Sequence, residues 1–177
     1  IVPQEVRREL LDLTLGSHDA ELQRAVNVVA PVKVFNLSIT RPEVIEATHE
    51  RMAGAYHPDG GPWHREYMPR TTMVFLNEDP GLSVAQRRAA AQAEARTALA
   101  AYWAALEGTV DPARVEREAQ NAVVGDAGLV ASQLLERFHP EDRLMLWFDF
   151  FNHDSRRVIA NMEAFMERVA PLVAAGG

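Results

Sequence analysis

The chain has 177 residues, with 25 acidic and 18 basic side chains, a formal net charge of −7 and no cysteine. The acidic balance argues against nucleic acids and anionic membrane surfaces as partners, because both attract a basic face. The lack of cysteine excludes disulfides, thiol nucleophiles and thiolate metal sites, and it fits a cytoplasmic protein. No apolar run reaches the roughly 20 residues of a membrane-spanning helix. This length suits one domain with a sizeable core, and we expect it to span residues 1 to 177.

Apolar runs with strand-like composition alternate with helical patterns in the first half of the chain. The first run covers residues 12 to 17 and precedes a helical segment. The second run, residues 32 to 39, is rich in β-branched and aromatic residues, as strands usually are. A second helix follows it. That helix must end near residue 57, because the stretch HPDGGPW contains two prolines and two glycines.

A third run, residues 70 to 78, leads into a long alanine-rich helix. Ser83 and Gln86 have the spacing of a capping box and predict the start of that helix. Asp111 followed by proline predicts the start of the next one, because proline is favoured at the first helical position. Asp126 is placed to cap a further helix.

The fourth run, residues 143 to 150, reads RLMLWFDF and is followed by a last helix. We expect this helix to end before Pro171. Strands and helices that alternate at these lengths are typical of βα units with a parallel sheet. The strands are apolar on both faces, as a sheet covered by helices requires. The sequence therefore predicts an α/β fold, either a small open sheet or half of an eight-stranded barrel.

The turn after the first strand is the first place to search for function, since functional groups of parallel α/β proteins collect at the carboxyl ends of strands. Gly16, Ser17 and His18 precede a helix there. Free N–H groups and the helix dipole at such a start suit a phosphate group. The alternative is that Ser17 or Asp19 only caps the helix. The GxGxxG and Walker A motifs are absent, so neither a Rossmann site nor a P-loop is predicted.

Histidines and loop aromatics are the remaining candidates for chemistry. His57 and His64 flank a Gly-Pro loop and could meet around a metal, but solvated loop histidines are commoner and we expect no metal site. His153 follows the fourth strand and could be a general base or a polar loop residue. Trp63 and Tyr67, in the loop from 57 to 67, could cover a substrate or lie on a plain surface excursion. No motif identifies catalytic residues.

The C-terminal part of the chain, from Val123 onward, combines a helix start after a glycine, the apolar strand LMLWFDF and a last helix. In this order it resembles the C-terminal end of bacterial luciferase-like flavin monooxygenases, which close with a Gly-Thr-Pro-Glu-Glu-Val type helix start, a similar strand and a helix of the type SMELFAEEVMP. The matching positions are Gly125, Leu144 to Phe150, Met162, Glu163, Phe165 and Pro171. The chain departs from the pattern at Asp126-Ala127, which replaces Thr-Pro, and at Phe151-Asn152, where small residues are usual.

The resemblance extends upstream as a more diffuse pattern. The segment TLGSHDAELQRAVNVVAPVKVF is similar to a family segment in which a serine-rich turn approaches the flavin phosphate. Ser17, Ala25 and Pro31 fall in step with that segment, while Val29 stands where glycine is common. The third run and the helix after it resemble a later strand and its long helix.

The resemblance implies a TIM (β/α)8 barrel of roughly 250 residues or more, of which this chain holds about the last four βα units. It implies reduced FMN as cofactor, O₂ as the oxidant and a small organic substrate, with Gly16, Ser17 and His18 around the flavin phosphate. The N-terminal strands, with much of the flavin pocket and the catalytic residues, would lie outside this chain, which would explain its missing start Met. An isolated half-barrel exposes a sheet edge and apolar faces, so a homo- or hetero-oligomer is expected.

Two alternatives to a luciferase-like monooxygenase stay open at the level of sequence. One is a non-catalytic flavin-binding or supporting subunit, since bacterial luciferase itself pairs an active with a supporting subunit. The other is a related oxidoreductase that uses a deazaflavin in place of FMN.

Overall fold

The structure is a computed structural model that describes residues 12–35, 40, 42–148 and 154–176. Contacts along the chain group the described residues into two compact units, the first ending at Arg70 and the second beginning at Thr71. Each unit has its own sheet and its own buried apolar clusters. A single domain over residues 1 to 177 stays a prediction.

The first unit contains two short parallel strands and two helices. Its elements in chain order are β1 (Thr14–Leu15), α1 (Ala20–Val29), β2 (Lys33–Val34), α2 (Pro42–Ala55) and two 3₁₀ turns, Pro58–Gly60 and Arg65–Tyr67. Thr14 pairs with Lys33, and Leu15 pairs with Val34. Both strands lie inside the predicted runs but are shorter, and part of the second run, residues 36–39, lies outside the described residues.

Helix α1 buries amide side chains and exposes large apolar ones. The side-chain nitrogen of Asn27 donates to the carbonyl of Ala55, and its oxygen accepts the N–H of His57 at 3.1 Å. These bonds satisfy backbone groups at the end of α2 that have no partner within that helix. Val28 and Val29 are 79% and 80% exposed. The buried face of α1 therefore fixes the end of α2 by hydrogen bonds rather than by apolar packing.

The core of the first unit is a small apolar cluster under α2. It consists of Val34, Ile45, Met52 and Met68, with Tyr56 and Trp63 packed against it. The indole N–H of Trp63 donates to Nδ1 of His49 at 3.1 Å. Trp63, from the loop predicted either to cover a substrate or to lie on the surface, is thus part of this core. This loop precedes the amino end of the next strand. Substrates of parallel α/β proteins bind at the carboxyl ends of strands, so this position does not favour a role in covering a substrate.

The second unit contains a three-stranded sheet in the order β4-β3-β5. Its elements are β3 (Arg70–Leu76, whose first residue closes the first unit), α3 (Val84–Glu107), α4 (Pro112–Asn121), β4 (Val123–Gly125), α5 (Ala127–Arg137), β5 (Leu144–Trp147), α6 (Ser155–Ala164), a π-helical segment (Phe165–Val169) and α7 (Ala170–Gly176). Strand β4 runs parallel to β3, with Val74 opposite Val123 and Leu76 opposite Gly125. The predicted starts of three helices are confirmed: the capping box Ser83 and Gln86, and the N-caps Asp111 and Asp126.

Strand β3 is buried on both faces, as predicted. Met73 and Phe75 pack into a cluster with α3 and α4, while Val74 and Leu76 pack into a second cluster with α5 and the π-helical segment. Helices therefore cover both faces of this strand. The described residues form parallel βα units but no closed barrel.

Strand β5 does not match the prediction of a strand buried on both faces. Leu144 and Leu146 pack against the second cluster, but Met145 and Trp147 are 41% and 36% exposed. The apolar cluster lies against the face of β5 that carries Leu144 and Leu146, while Met145 and Trp147 alternate onto the opposite face. Apart from Arg143 and Asp149, the run of residues 143 to 150 is apolar, so its sequence could not distinguish a covered face from a partly exposed one.

The end of the last helix was predicted wrongly. The helical chain continues beyond Val169, and α7 contains Pro171. Proline needs no N–H partner in the first turn of a helix, and the wide π-helical turn lets a new helical register begin at Ala170. Phe165 and Val169, at the two ends of the π-helical segment, are both buried.

Strand β4 was not predicted either, because a strand of three residues is too short to give a sequence pattern. None of the helices in the described ranges is both long and apolar enough to span a membrane.

Gly125 is the position where substitution should damage this fold most clearly. Its φ is +137°, and an added Cβ would lie 2.7 Å from a methyl carbon of Leu129. We expect Gly125→Ala to lower the free energy of unfolding by about 1–3 kcal/mol through strain and overpacking, measured by urea denaturation. Gly128→Ala in α5 is the control, because its Cβ meets only the Asp126 carboxylate at 3.8 Å. It should be neutral or stabilising, and equal losses in both variants would contradict this explanation.

Candidate functional site

The turn between β1 and α1, predicted as a phosphate site, is held by hydrogen bonds of its own residues. The hydroxyl of Ser17 accepts the N–H of Asp19 at 3.1 Å, and the carbonyl of Ser17 accepts from the side-chain nitrogen of Gln23 at 2.8 Å. Because the hydroxyl oxygen accepts within the turn, its hydrogen is still available to donate to a ligand. Gly16 is exposed, while Ser17 and His18 are half-buried.

Asp19 is the N-cap of α1, which decides between the two capping candidates. Its carboxylate accepts the N–H of Leu22 at 2.7 Å. The N–H groups of Ala20 and Glu21, in the first turn of α1, have no hydrogen-bond acceptor among the described residues. The helix start therefore offers two backbone donors beside the Ser17 hydroxyl. It also carries the negative charge of Asp19, which any bound anion would have to approach.

A buried polar network connects this turn to α2. The side-chain oxygen of Gln23, which is 1% exposed, accepts from Nε of Arg51 at 3.0 Å and from Nη2 at 2.6 Å. Arg51 also donates to the hydroxyl of Thr48 at 3.1 Å. Gln23 thus joins the guanidinium to the Ser17 carbonyl, so that α2 fixes the turn. The charge of Arg51 partly offsets that of Asp19.

His18 faces a residue that follows the second predicted strand. Its Nε2 lies 3.3 Å from the hydroxyl of Thr40. The carboxyl side of β1 is therefore connected to the start of the chain segment that enters α2.

Sequence reasoning missed Gln23 and Arg51 as parts of this site. No sequence signal identified Gln23, because it is the tertiary structure that buries the polar positions of α1. No local pattern relates Arg51 to Gln23, because the two residues are 28 positions apart.

The carboxyl ends of β3 and β4, in the second unit, are occupied by the side chains of the protein itself. The carboxylate of Glu78 accepts the N–H of Ala127 at 2.5 Å and a guanidinium N–H of Arg168 at 2.8 Å. Asp126 caps α5 through the N–H of Leu129. These carboxylates have structural partners, so they serve to fix α5 and the π-helical segment rather than to transfer protons.

Arg157 ties α6 to the carboxyl end of β3. Its Nη2 donates to the carbonyl of Leu76 at 2.9 Å and to the carboxylate of Glu94 at 2.8 Å. Arg157 therefore satisfies the last carbonyl of the strand and connects α3 to α6.

The histidines considered for metal binding have other roles in the described structure. Nδ1 of His57 accepts the N–H of Asp59, and the ring of His64 packs edge-on against Tyr67. In the described ranges no group of three or more His, Asp or Glu side chains is placed to hold a metal ion. The candidate base His153 lies outside the described residues.

Comparisons with solved structures find the same fold in a protein of which this chain covers half. No protein-family model matches the chain, and no curated protein matches it significantly. The crystal structure of monooxygenase RslO1 from Streptomyces bottropensis superposes with a TM-score of 0.67 and 16% sequence identity. The match covers 96% of this chain and 50% of that one, so this chain spans about half the length of RslO1. At this identity the likeness shows the fold alone.

The cap at Asp19 can be tested by two substitutions. Asp19→Ala removes the acceptor for the Leu22 N–H and should lower the free energy of unfolding by about 1 kcal/mol. Asp19→Asn keeps a side-chain oxygen that caps about equally well, so it should cost much less. Chemical denaturation of both variants measures the difference. If Asp19→Asn cost as much as Asp19→Ala, the charge rather than the cap would be the stabilising feature.

Proposed function

We propose that this chain is part of a flavin-dependent monooxygenase that uses reduced FMN and O₂ on a small organic substrate. The observation that carries the proposal is the likeness of its fold, over 96% of the chain, to half of a protein described as a monooxygenase. The sequence resemblance of the last strand and helix to luciferase-like flavin enzymes supports the same reading. The turn at Ser17 provides a candidate place for the phosphate of FMN.

The proposed architecture is about half of a TIM barrel, which a second half or an oligomer would complete. Its support is the series of parallel βα units and the span of about half of RslO1. The open face of β5 and the exposed side chains Val28, Val29 and Met166 also fit, since a soluble protein seldom leaves so much apolar surface uncovered.

The residues at the start of α1 fit a phosphate in part. Donors are available from the Ser17 hydroxyl and from the N–H groups of Ala20 and Glu21, at the positive end of a helix of 10 residues. The carboxylate of Asp19 opposes an anion, while Arg51, behind Gln23, favours it. Hydrogen bonds would therefore contribute more than net charge to the binding of a dianionic phosphate.

In the proposed mechanism FMN supplies the redox chemistry and the reaction with O₂ when it is bound. The residues of this chain bind and orient it: Ser17 donates its hydroxyl hydrogen to a phosphate oxygen, and Gln23 and Arg51 keep the Ser17 turn in place. We assign no proton transfer to a residue of the described ranges.

The phosphate site can be tested by comparing FMN with riboflavin, which lacks the phosphate. Fluorescence titration should show tighter binding of FMN than of riboflavin. Ser17→Ala should weaken FMN binding by about tenfold, since a hydrogen bond to a charged group contributes roughly 1.5 kcal/mol or more. Riboflavin affinity should not change. Ser132→Ala is the control, because that hydroxyl bonds only to Glu136 on the surface of α5.

Three results would separate the alternatives. Equal affinity of the wild-type chain for FMN and riboflavin would contradict the phosphate site at Ser17. No binding of either flavin by the natural gene product, including any upstream segment, would contradict a flavin function. A preference for a deazaflavin over FMN would favour a deazaflavin-dependent oxidoreductase. Flavin binding by the natural gene product without O₂ consumption, when reduced FMN and substrates are supplied, would favour a non-catalytic or supporting subunit.

A further inference from the structure

A groove of about 410 Å³ lies between α3 and α4 in the second unit. Arg88, Gln92 and Arg96 line it from α3, where a spacing of four residues places them on one face of the helix. Glu116 and Gln120 line it from α4 with the same spacing. The groove thus has polar walls on both helices.

One of its two arginines is neutralised and the other is not. Arg96 binds the carboxylate of Glu116 through two hydrogen bonds, of 2.6 and 3.0 Å, which lower the pKa of Glu116. Arg88 has no ion pair and no hydrogen bond to any residue of the described ranges. The groove therefore keeps one uncompensated positive charge, on a chain whose net charge is −7.

A second guanidinium lies near Arg88 and is held in place. Arg137 donates to the carbonyls of Asn121 and Ala122 at 3.4 and 3.3 Å. Burial first, and then the charge of Arg88, lower the pKa of Arg137. The positive charges of Arg88 and Arg137 repel each other. An anion bound next to Arg88 would offset this repulsion.

The groove also has space and further donors beside Arg88. Ala85 and Ala89 line the groove on the same helix and fill little of it. The amide nitrogen of Gln92 donates to the Ala119 carbonyl at 2.7 Å, and that of Gln120 donates to Glu116 at 3.2 Å. Each amide group has two hydrogens, so one remains on each for a ligand.

We propose that the groove between α3 and α4 binds a small oxyanion, a phosphate or carboxylate group, through the guanidinium of Arg88 and the side-chain amides of Gln92 and Gln120. The planar guanidinium suits two parallel hydrogen bonds to such a group. The site is independent of the proposed flavin chemistry, because it uses none of the residues assigned to the flavin phosphate.

The test is a calorimetric titration of the whole chain with inorganic phosphate at constant ionic strength, repeated with acetate. Arg88→Gln should weaken binding by at least about tenfold, since a bond to a charged group is lost. Arg117→Gln removes an exposed arginine of α4 that does not line the groove, so its affinity should equal that of the wild-type chain. Circular dichroism checks that both variants are folded.

The outcomes distinguish the ligand and can overturn the proposal. Binding of phosphate alone identifies a phosphate group as the ligand, and binding of acetate alone identifies a carboxylate. If Arg88→Gln and Arg117→Gln bound with equal affinity, the anion would be adventitious and the site wrong. No heat of binding and no rise in Tm with either anion would also overturn it.

Discussion

The burial of β3 on both faces is the constraint on which the second unit depends. Alternate side chains of this strand enter two different apolar clusters, one with α3 and α4 and one with α5 and the π-helical segment. Both clusters share this strand. A shift of the strand relative to one helical layer would therefore also disturb its packing against the other layer. Glu78 and Arg157 then fix the carboxyl end of the strand to α5, the π-helical segment and α6. The groove between α3 and α4 has a defined shape for the same reason.

Helix α1 of the first unit is held by polar rather than apolar burial. Gln23 and Asn27 occupy the buried face of α1, and each of them bonds to backbone groups that would otherwise lack partners. Buried amides of this kind fix geometry strongly, because an unmade bond costs more than a made bond contributes. The turn at Ser17 is therefore held by hydrogen bonds to Asp19 and Gln23. Because these hydrogen bonds hold the buried face of α1, the large apolar side chains of the helix can lie on its exposed face.

The two candidate anion sites differ in how they obtain positive potential. At the start of α1 the potential comes from backbone N–H groups, and Asp19 reduces it while Arg51 restores part of it. In the groove between α3 and α4 it comes from Arg88, with Arg137 nearby and the pair of Arg96 and Glu116 neutral. The backbone donors of the first site suit a phosphate group, and the guanidinium of Arg88 suits a small oxyanion at the second.

The sequence alone was enough to predict the α/β class, the runs that contain four of the five strands and the helix starts at Ser83, Asp111 and Asp126, because these depend on local patterns of apolar and capping residues. It also indicated the turn at Ser17, although it left two residues as the possible cap. The folded structure was needed to show that Asp19 is the cap and that Met145 and Trp147 of β5 are partly exposed. The contact between Gln23 and Arg51 and the uncompensated charge of Arg88 were likewise decided there. The physical reason is that these features depend on residues far apart in sequence, and burial, hydrogen bonding and charge pairing between such residues leave no local pattern.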